Sequence, residues 1–333
     1  MRDNTRHQRW WPLSLNATAL LFTAGVAQAV SLAWPFEGNF HGAPLGWLQI
    51  LALVVFAVFL DRAHSNRQAF VIGWIFSFAW LIGSVWWLFI SMNRYGGLSA
   101  PVAALAVTLL AAGLALFYSM ASLAFHLVCQ SGVGVLPRAS AFAAVWVLAE
   151  MARGTLWTGF PWGAVGYAHL DSVLHHWAPW VGVYGLCGLS AFVAMAIGAE
   201  RHRSASTSRV TPGLILVGIA VLTYTWLMAP SSRANAQHQS THPLRVTLLQ
   251  GNIPQDLKFG EGIQRALLEY REALLSSESD LTVTPETAIP LVQQQLPDRY
   301  WAALETHFGK GGQAALIGQP LAMRTEQGQL QYS

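Results

Sequence analysis

Thr284-Pro285-Glu286, followed by Thr287-Ala288-Ile289-Pro290, is the stretch of this chain best suited to chemistry. It stands behind a short apolar run, Leu281 to Val283, that reads as a buried strand. Prolines on both sides restrict the backbone around Glu286, and a carboxylate held rigidly at a strand end is well placed to take a proton as a general base. Read without that context, a Glu after a strand is a solvated residue or a helix N-terminal charge. A second stretch, Gln250-Gly251-Asn252-Ile253-Pro254-Gln255, leaves an earlier strand by a tight turn that the glycine permits. In parallel sheets such strand exits form sites.

Other constellations carry a blander reading. His169, Asp171, His175 and His176 fall close together. Metal binding is one use of such residues, but an interfacial loop accounts for them better. Glu150 and Arg153 are three apart on one helical face; an intramembrane ion pair is a functional hint, but a structural pair near the outer interface is the favoured reading. Cys129 and Cys187 lie in apolar runs, which gives neither a disulfide framework nor zinc spacing. Neither a metal nor a cofactor is expected.

These groups must be positioned by a chain of 333 residues that is 53% hydrophobic and 11% charged. Soluble domains carry roughly twice that share of charge. The deficit is local. Residues 1–229 hold 11 Lys/Arg and 6 Asp/Glu, whereas residues 230–333 hold 8 and 10. The shift predicts a transmembrane helical domain over 1–230 and a polar domain over 231–333. The basic pI of 9.0 comes from loops of the first part. No basic stretch is interleaved with aromatics, so nucleic acid is not an expected partner.

Seven apolar segments fit the roughly 20 helical residues needed to cross a bilayer: 13–33, 45–60, 69–90, 100–128, 139–157, 178–198 and 211–229. Many of the fifteen tryptophans flank them, as interfacial anchors do. Arginines gather at the N-terminus and in alternate loops: Arg2, Arg6 and Arg9, then Arg62 and Arg67, then Arg138, then Arg201, Arg203 and Arg209. The positive-inside rule then predicts a cytoplasmic N-terminus and an external 231–333. Ala27-Gln28-Ala29 also resembles a signal-peptide cleavage site. Cleavage is the less favoured reading, because Trp34 and a second apolar segment follow at once.

Beyond Pro230 the pattern alternates. A strand is expected over 244–250, a helix over 261–276, the strand ending at Glu286, a helix over 297–308 and a strand over 313–323. That order opens an α/β layered domain.

The same residues carry a resemblance. Gln250-Gly251-Asn252-Ile253-Pro254-Gln255, Lys258-Phe259 and Thr284 to Pro290 resemble the opening of a carbon–nitrogen hydrolase (nitrilase-type) domain. Glu150-Met151-Ala152-Arg153, Thr158-Gly159-Phe160-Pro161-Trp162, Gly166-Tyr167 and Tyr95-Gly96-Gly97 resemble the membrane part of bacterial apolipoprotein N-acyltransferases. The resemblance covers the whole chain. It implies a polytopic helical membrane bundle of about seven spans followed by the N-terminal part of a nitrilase-like α/β sandwich. The expected setting is the bacterial inner membrane, with the polar domain periplasmic.

The resemblance also implies a reaction. An acyl chain passes from a phosphatidylethanolamine-like phospholipid to the α-amine of a diacylglyceryl lipoprotein, through a cysteine thioester formed by a Glu-Lys-Cys triad. Glu286 matches the Glu. Gln250, Pro254, Phe259, Tyr95 and Trp162 are the expected substrate-binding residues. Phe259 stands where the family usually has Trp. No triad Lys or Cys is found within residues 1–333, so the chain is expected to be a truncated member, inactive by itself. The rival readings are an inactive remnant and a polytopic transport or scaffold protein.

Overall fold

A computed structural model describes residues 13–129, 133–200, 243–253, 262–324 and 330–332. The chain divides into two units, Met1–Ala229 and Pro230–Ser333.

The described part of the first unit is helical: α1 (Leu15–Val30), α2 (Gly46–Asp61), α3 (Asn66–Val85), α4 (Trp87–Ile90), α5 (Ala100–Val128), α6 (Val135–Thr155) and α7 (Ala178–Glu200). Local chemistry starts these helices. The Ser14 hydroxyl accepts from the Ala17 amide at 3.3 Å. The Ser65 hydroxyl accepts from the Gln68 amide at 3.2 Å, while the Gln68 side chain reaches back to the His64 amide at 2.8 Å.

Among the described residues four helices are long and apolar enough to cross a membrane, at Asn66–Val85, Ala100–Val128, Val135–Thr155 and Val173–Ala199. At 16 residues each, α1 and α2 are apolar but shorter; about 1.5 Å per residue leaves them short of a ~30 Å hydrocarbon core. Helix therefore occupies six of the seven expected segments, and the seventh, 211–229, lies outside the described residues. The third segment is broken. Regular helix stops at Val85, and α4 runs into a π-helical turn, Ser91–Tyr95. Near its start α7 is interrupted at Gly182, whose φ is 64°.

The core of this unit is aromatic. Trp80 packs on Tyr118 at 4.9 Å and on Trp146 at 6.0 Å, and Phe56 stacks on Phe76 at 4.6 Å. Close approach of α3 to α5 depends on Gly73, where a Cβ would lie 2.8 Å from the Tyr118 carbonyl oxygen.

The described part of the second unit alternates strand and helix: β1 (Val246–Leu248), α8 (Gly262–Ser276), β2 (Leu281–Val283), α9 (Asp298–Phe308), β3 (Ala314–Leu316), β4 (Ala322–Arg324) and β5 (Leu330–Tyr332). β1, β2 and β3 form a parallel sheet in that order, with Val246, Leu281 and Ala314 in register at its start. The strand expected over 313–323 is in fact two. β3 ends at Leu316, Pro320 follows Gly318 and Gln319, and β4 then pairs antiparallel with β5. The apolar faces of α8 and α9 meet in one core built on Leu267, Leu274, Ile289, Leu296, Tyr300 and Leu304. Burying side chains of this size contributes about 1.5–3 kcal/mol each.

Candidate functional site

Glu286 lies just past the carboxyl end of β2. The ladder continues one residue beyond the strand, where the Thr284 amide donates to the Leu316 carbonyl at 3.0 Å. The chain then turns sharply. The Ala288 amide donates to the Pro285 carbonyl at 3.3 Å, and Thr287 adopts φ 52°. A left-handed conformation at a non-glycine residue costs about 1–3 kcal/mol and is kept only where surrounding contacts impose it.

Gly318 supplies those contacts. Its amide donates to the Thr284 hydroxyl at 2.9 Å, and its carbonyl accepts from the Ile289 amide at 3.1 Å. A Cβ at Gly318 would press on the Pro285 carbonyl oxygen and lie 2.9 Å from both the Glu286 Cα and the Thr287 nitrogen. Ala288 and Ile289 are buried, at 3% and 0% exposure, and anchor the far side of the turn. Glu286 itself is exposed at the apex of this fixed loop.

The exit of β1 lies beside it. The Leu249 amide donates to the Val283 carbonyl at 2.8 Å, which carries the parallel pairing to the residue before Gln250. The Gly251 amide donates to the Tyr270 hydroxyl at 3.1 Å, and Asn252 adopts φ 49°. Ala266 and Tyr270 of α8 pack with Ala288, and Leu249 and Ile253 lie against them. The structure thus brings the Gln250 turn and the Glu286 loop together at one edge of the sheet, held by a shared patch of α8. Gln250 is exposed there. Pro254, Lys258 and Phe259 lie outside the described residues.

Tyr95 and Trp162 belong to the first unit. Trp162 is half exposed and stacks on Trp87 of α4 at 4.8 Å. Tyr95 ends the π-helical turn that continues α4, with the Arg94 guanidinium 5.6 Å from its ring. The loop bearing Trp162 is fixed from beneath. Arg153 donates to the carbonyls of Phe160 at 2.5 Å and Trp162 at 2.7 Å, to the Tyr118 hydroxyl at 2.8 Å and to Glu150 at 2.7 Å. Both members of this ion pair are fully buried. One fork-shaped cation therefore joins α5, α6 and the Trp162 loop, a role that suits guanidinium and not ammonium.

The histidines do not converge. His169 is buried between the Gln49 side chain at 2.9 Å and the Ser172 hydroxyl at 3.0 Å, and burial pushes its pKa down to about 4. His175 turns to the Leu170 carbonyl at 2.8 Å. Among the described residues no group of three His, Cys, Asp or Glu side chains could hold a metal ion. Cys129 and Cys187 are both free and buried, and the Cys187 sulfur accepts from the Gly166 amide at 3.2 Å.

Gly318 and Tyr270 are the supporting residues that pattern reading passes over. Gly318-Gln319-Pro320 after an apolar run is the one local signal of a turn at that edge. Chemically, the arrangement holds an exposed carboxylate in a fixed position at the carboxyl edge of a parallel sheet, where it can take and return a proton.

Comparison with known proteins gives a family. Residues 24–196 match the model of the apolipoprotein N-acyltransferase N-terminal domain. A protein of Verminephrobacter eiseniae named apolipoprotein N-acyltransferase is 45% identical over 315 residues, covering 89% of this chain and 56% of its own length. A Ralstonia nicotianae protein of the same name is 38% identical over 275 residues, 82% of this chain and 51% of its own. One from Chromobacterium violaceum is 34% identical over 322 residues, 95% and 60%. The chain spans between half and three fifths of the length of these relatives.

Proposed function

This chain belongs to the apolipoprotein N-acyltransferase family, and we propose on that premise that it serves lipoprotein N-acylation, with Glu286 as the general base. The donor is a phosphatidylethanolamine-like phospholipid, and the acceptor is the α-amine of a diacylglyceryl cysteine. Glu286 takes the proton from a thiol, the thiolate attacks the donor ester, and an acyl thioester forms as the lysolipid alkoxide leaves with a proton returned to it. The amine then attacks the thioester and releases the thiol. Thiols of pKa about 8.5 are mostly protonated near neutral pH, so a positioned base raises the reactive fraction.

The observation that carries this reading is the Glu286 loop itself. Its apex is left-handed at Thr287 and clamped by Gly318, yet the carboxylate it presents is exposed. A loop kept in a costly conformation at the point where it presents an exposed acid suits a positioned base. No lysine or cysteine within residues 1–333 matches the other triad members. Cys129 and Cys187 do not replace the nucleophile, because both are buried among helices of the first unit.

The remaining parts of the reading follow from the sequence. Residues 1–230 form a seven-span bundle in the bacterial inner membrane with a cytoplasmic N-terminus, by the arginine asymmetry of alternate loops. Residues 231–333 form the periplasmic opening of a nitrilase-like domain, which the parallel β1-β2-β3 order suits. Gln250, Pro254, Phe259, Tyr95 and Trp162 contact the lipid substrates.

A graft tests the function. Residues 1–333 replace the matched segment of the Verminephrobacter eiseniae relative, and the chimera is incubated with phosphatidylethanolamine labelled in its acyl chain and a diacylglyceryl peptide. Label transferred to the peptide supports the proposal. A folded chimera that transfers none contradicts it.

A further inference from the structure

We propose that the cleft between α8 and α9 of the second unit is a binding site for a phosphate-bearing anion, with a phospholipid headgroup as its occupant. It is an open, shallow groove of about 650 Å³, lined by Arg271 and Leu275 of α8, by Arg299, Ala302, Ala303, Thr306 and His307 of α9, and by Lys310 just beyond. Among the described residues no carboxylate lines it. Residues 230–333 hold 8 Lys/Arg against 10 Asp/Glu, yet three of those eight cations share this one cleft. None of the three forms a salt bridge among the described residues.

Helix stability does not explain the cluster. Lys310, past the end of α9, complements the helix dipole, but Arg299 stands in the first turn, where the dipole opposes a cation. His307, whose Nε2 atom has no hydrogen-bond partner among the described residues, lines the same groove. The cleft is also preformed, because the buried Tyr300 hydroxyl of α9 donates to the Leu267 carbonyl of α8 at 3.0 Å and ties the two helices together. Two guanidinium groups, an ammonium and an imidazole offer more donors than a carboxylate can use, and they match the several oxygens of a phosphate ester.

The site is separate from Glu286. Lys310 lies in the turn that leads into the start of β3, whereas Glu286 follows the end of β2. In a parallel sheet these are opposite edges. An anion held here is therefore away from the group assigned to proton transfer.

The test uses the whole chain of residues 1–333 in a neutral maltoside detergent. Binding of monomeric dihexanoyl phosphatidylglycerol and of inorganic phosphate is measured by calorimetry, for the parent chain, for Arg271→Glu/Arg299→Glu and for Arg271→Gln/Arg299→Gln. The lipid should bind the parent chain, at least 10-fold more weakly the charge-reversed pair, and to an intermediate degree the Gln pair, which also serves should the reversal impair folding. Raising NaCl from 50 to 500 mM should weaken binding. Inorganic phosphate that competes at similar concentration supports the anion site but makes free phosphate the occupant. Lipid binding without phosphate competition supports the headgroup. Binding of neither probe, or lipid binding equal in the parent and the Gln pair, overturns the proposal.

Discussion

Gly318 gives its amide hydrogen to the Thr284 hydroxyl at 2.9 Å, and the two residues together fix the turn on which Glu286 stands. They lie 34 positions apart, on the exits of adjacent parallel strands. Contact between backbones at this point leaves no room for a side chain at 318.

Gly318→Ala should therefore shift the Glu286 loop. Overpacking of this kind costs about 1–3 kcal/mol, and the active chimera should lose at least about 10-fold in acyl transfer, as small misplacements of catalytic groups do. Thr284→Val should cost about 1–3 kcal/mol by stranding the Gly318 amide, while Thr284→Ser keeps the bond. Denaturant unfolding of the second unit and transfer rates together check both.

Arg153 has its own test. Arg153→Met leaves Glu150 buried without its partner, which typically costs about 3–5 kcal/mol. Arg153→Lys keeps the charge but cannot span Tyr118, Phe160 and Trp162 at once, so it should rescue only in part. Limited proteolysis within 156–166 should be faster in both variants than in the parent chain, and fastest in Arg153→Met.

His169 makes stability depend on pH. Its folded pKa of about 4 lies below the ordinary 6.5. Between those values the unfolded chain binds more protons than the folded one, so stability falls as pH drops from 6.5 to 4. The full contribution is at most about 3 kcal/mol. Gln49 and Ser172 are its hydrogen-bond partners, and neither titrates. His169→Gln should remove this part of the acid sensitivity, read as the difference in melting temperature between parent and variant at pH 7 and pH 4.5. An identical acid response in the two proteins would show that His169 does not contribute.

A polypeptide of residues 1–333 incubated with labelled phospholipid should acquire no hydroxylamine-sensitive label. Its only thiols, Cys129 and Cys187, are 8% and 0% exposed. Label that disappears on Cys187→Ala or Cys129→Ala would place the nucleophile in the first unit.

What the sequence revealed follows from how local each signal is. Continuous apolar runs placed helix in six segments, because a bilayer-length run needs no distant partner to be recognised. Strand exits at Gln250 and Glu286 were readable from Gly251, Pro285 and Pro290. The clamp by Gly318 was not, since its meaning depends on a strand partner more than 30 residues away. The division of 313–323 into β3 and β4 has only a short local signal, Gly318-Gln319-Pro320, and the bonds of Gly318 to Thr284 and Ile289 that fix the break come from distant residues. The break at Val85 was hidden because Trp86 to Ile90 prolong the apolar run while the helix changes to a π-turn.

The most direct measurement concerns Glu286. In the chimera described above, Glu286→Gln keeps size and hydrogen bonding but cannot accept a proton, and thioester formation is followed by trapping the acyl-enzyme from labelled phosphatidylethanolamine. The rate should fall by about 10²–10⁴-fold, as loss of a general base does, with the fold and phospholipid binding unchanged. Acyl-enzyme formed at the parent rate by the Gln variant would contradict the role assigned to Glu286.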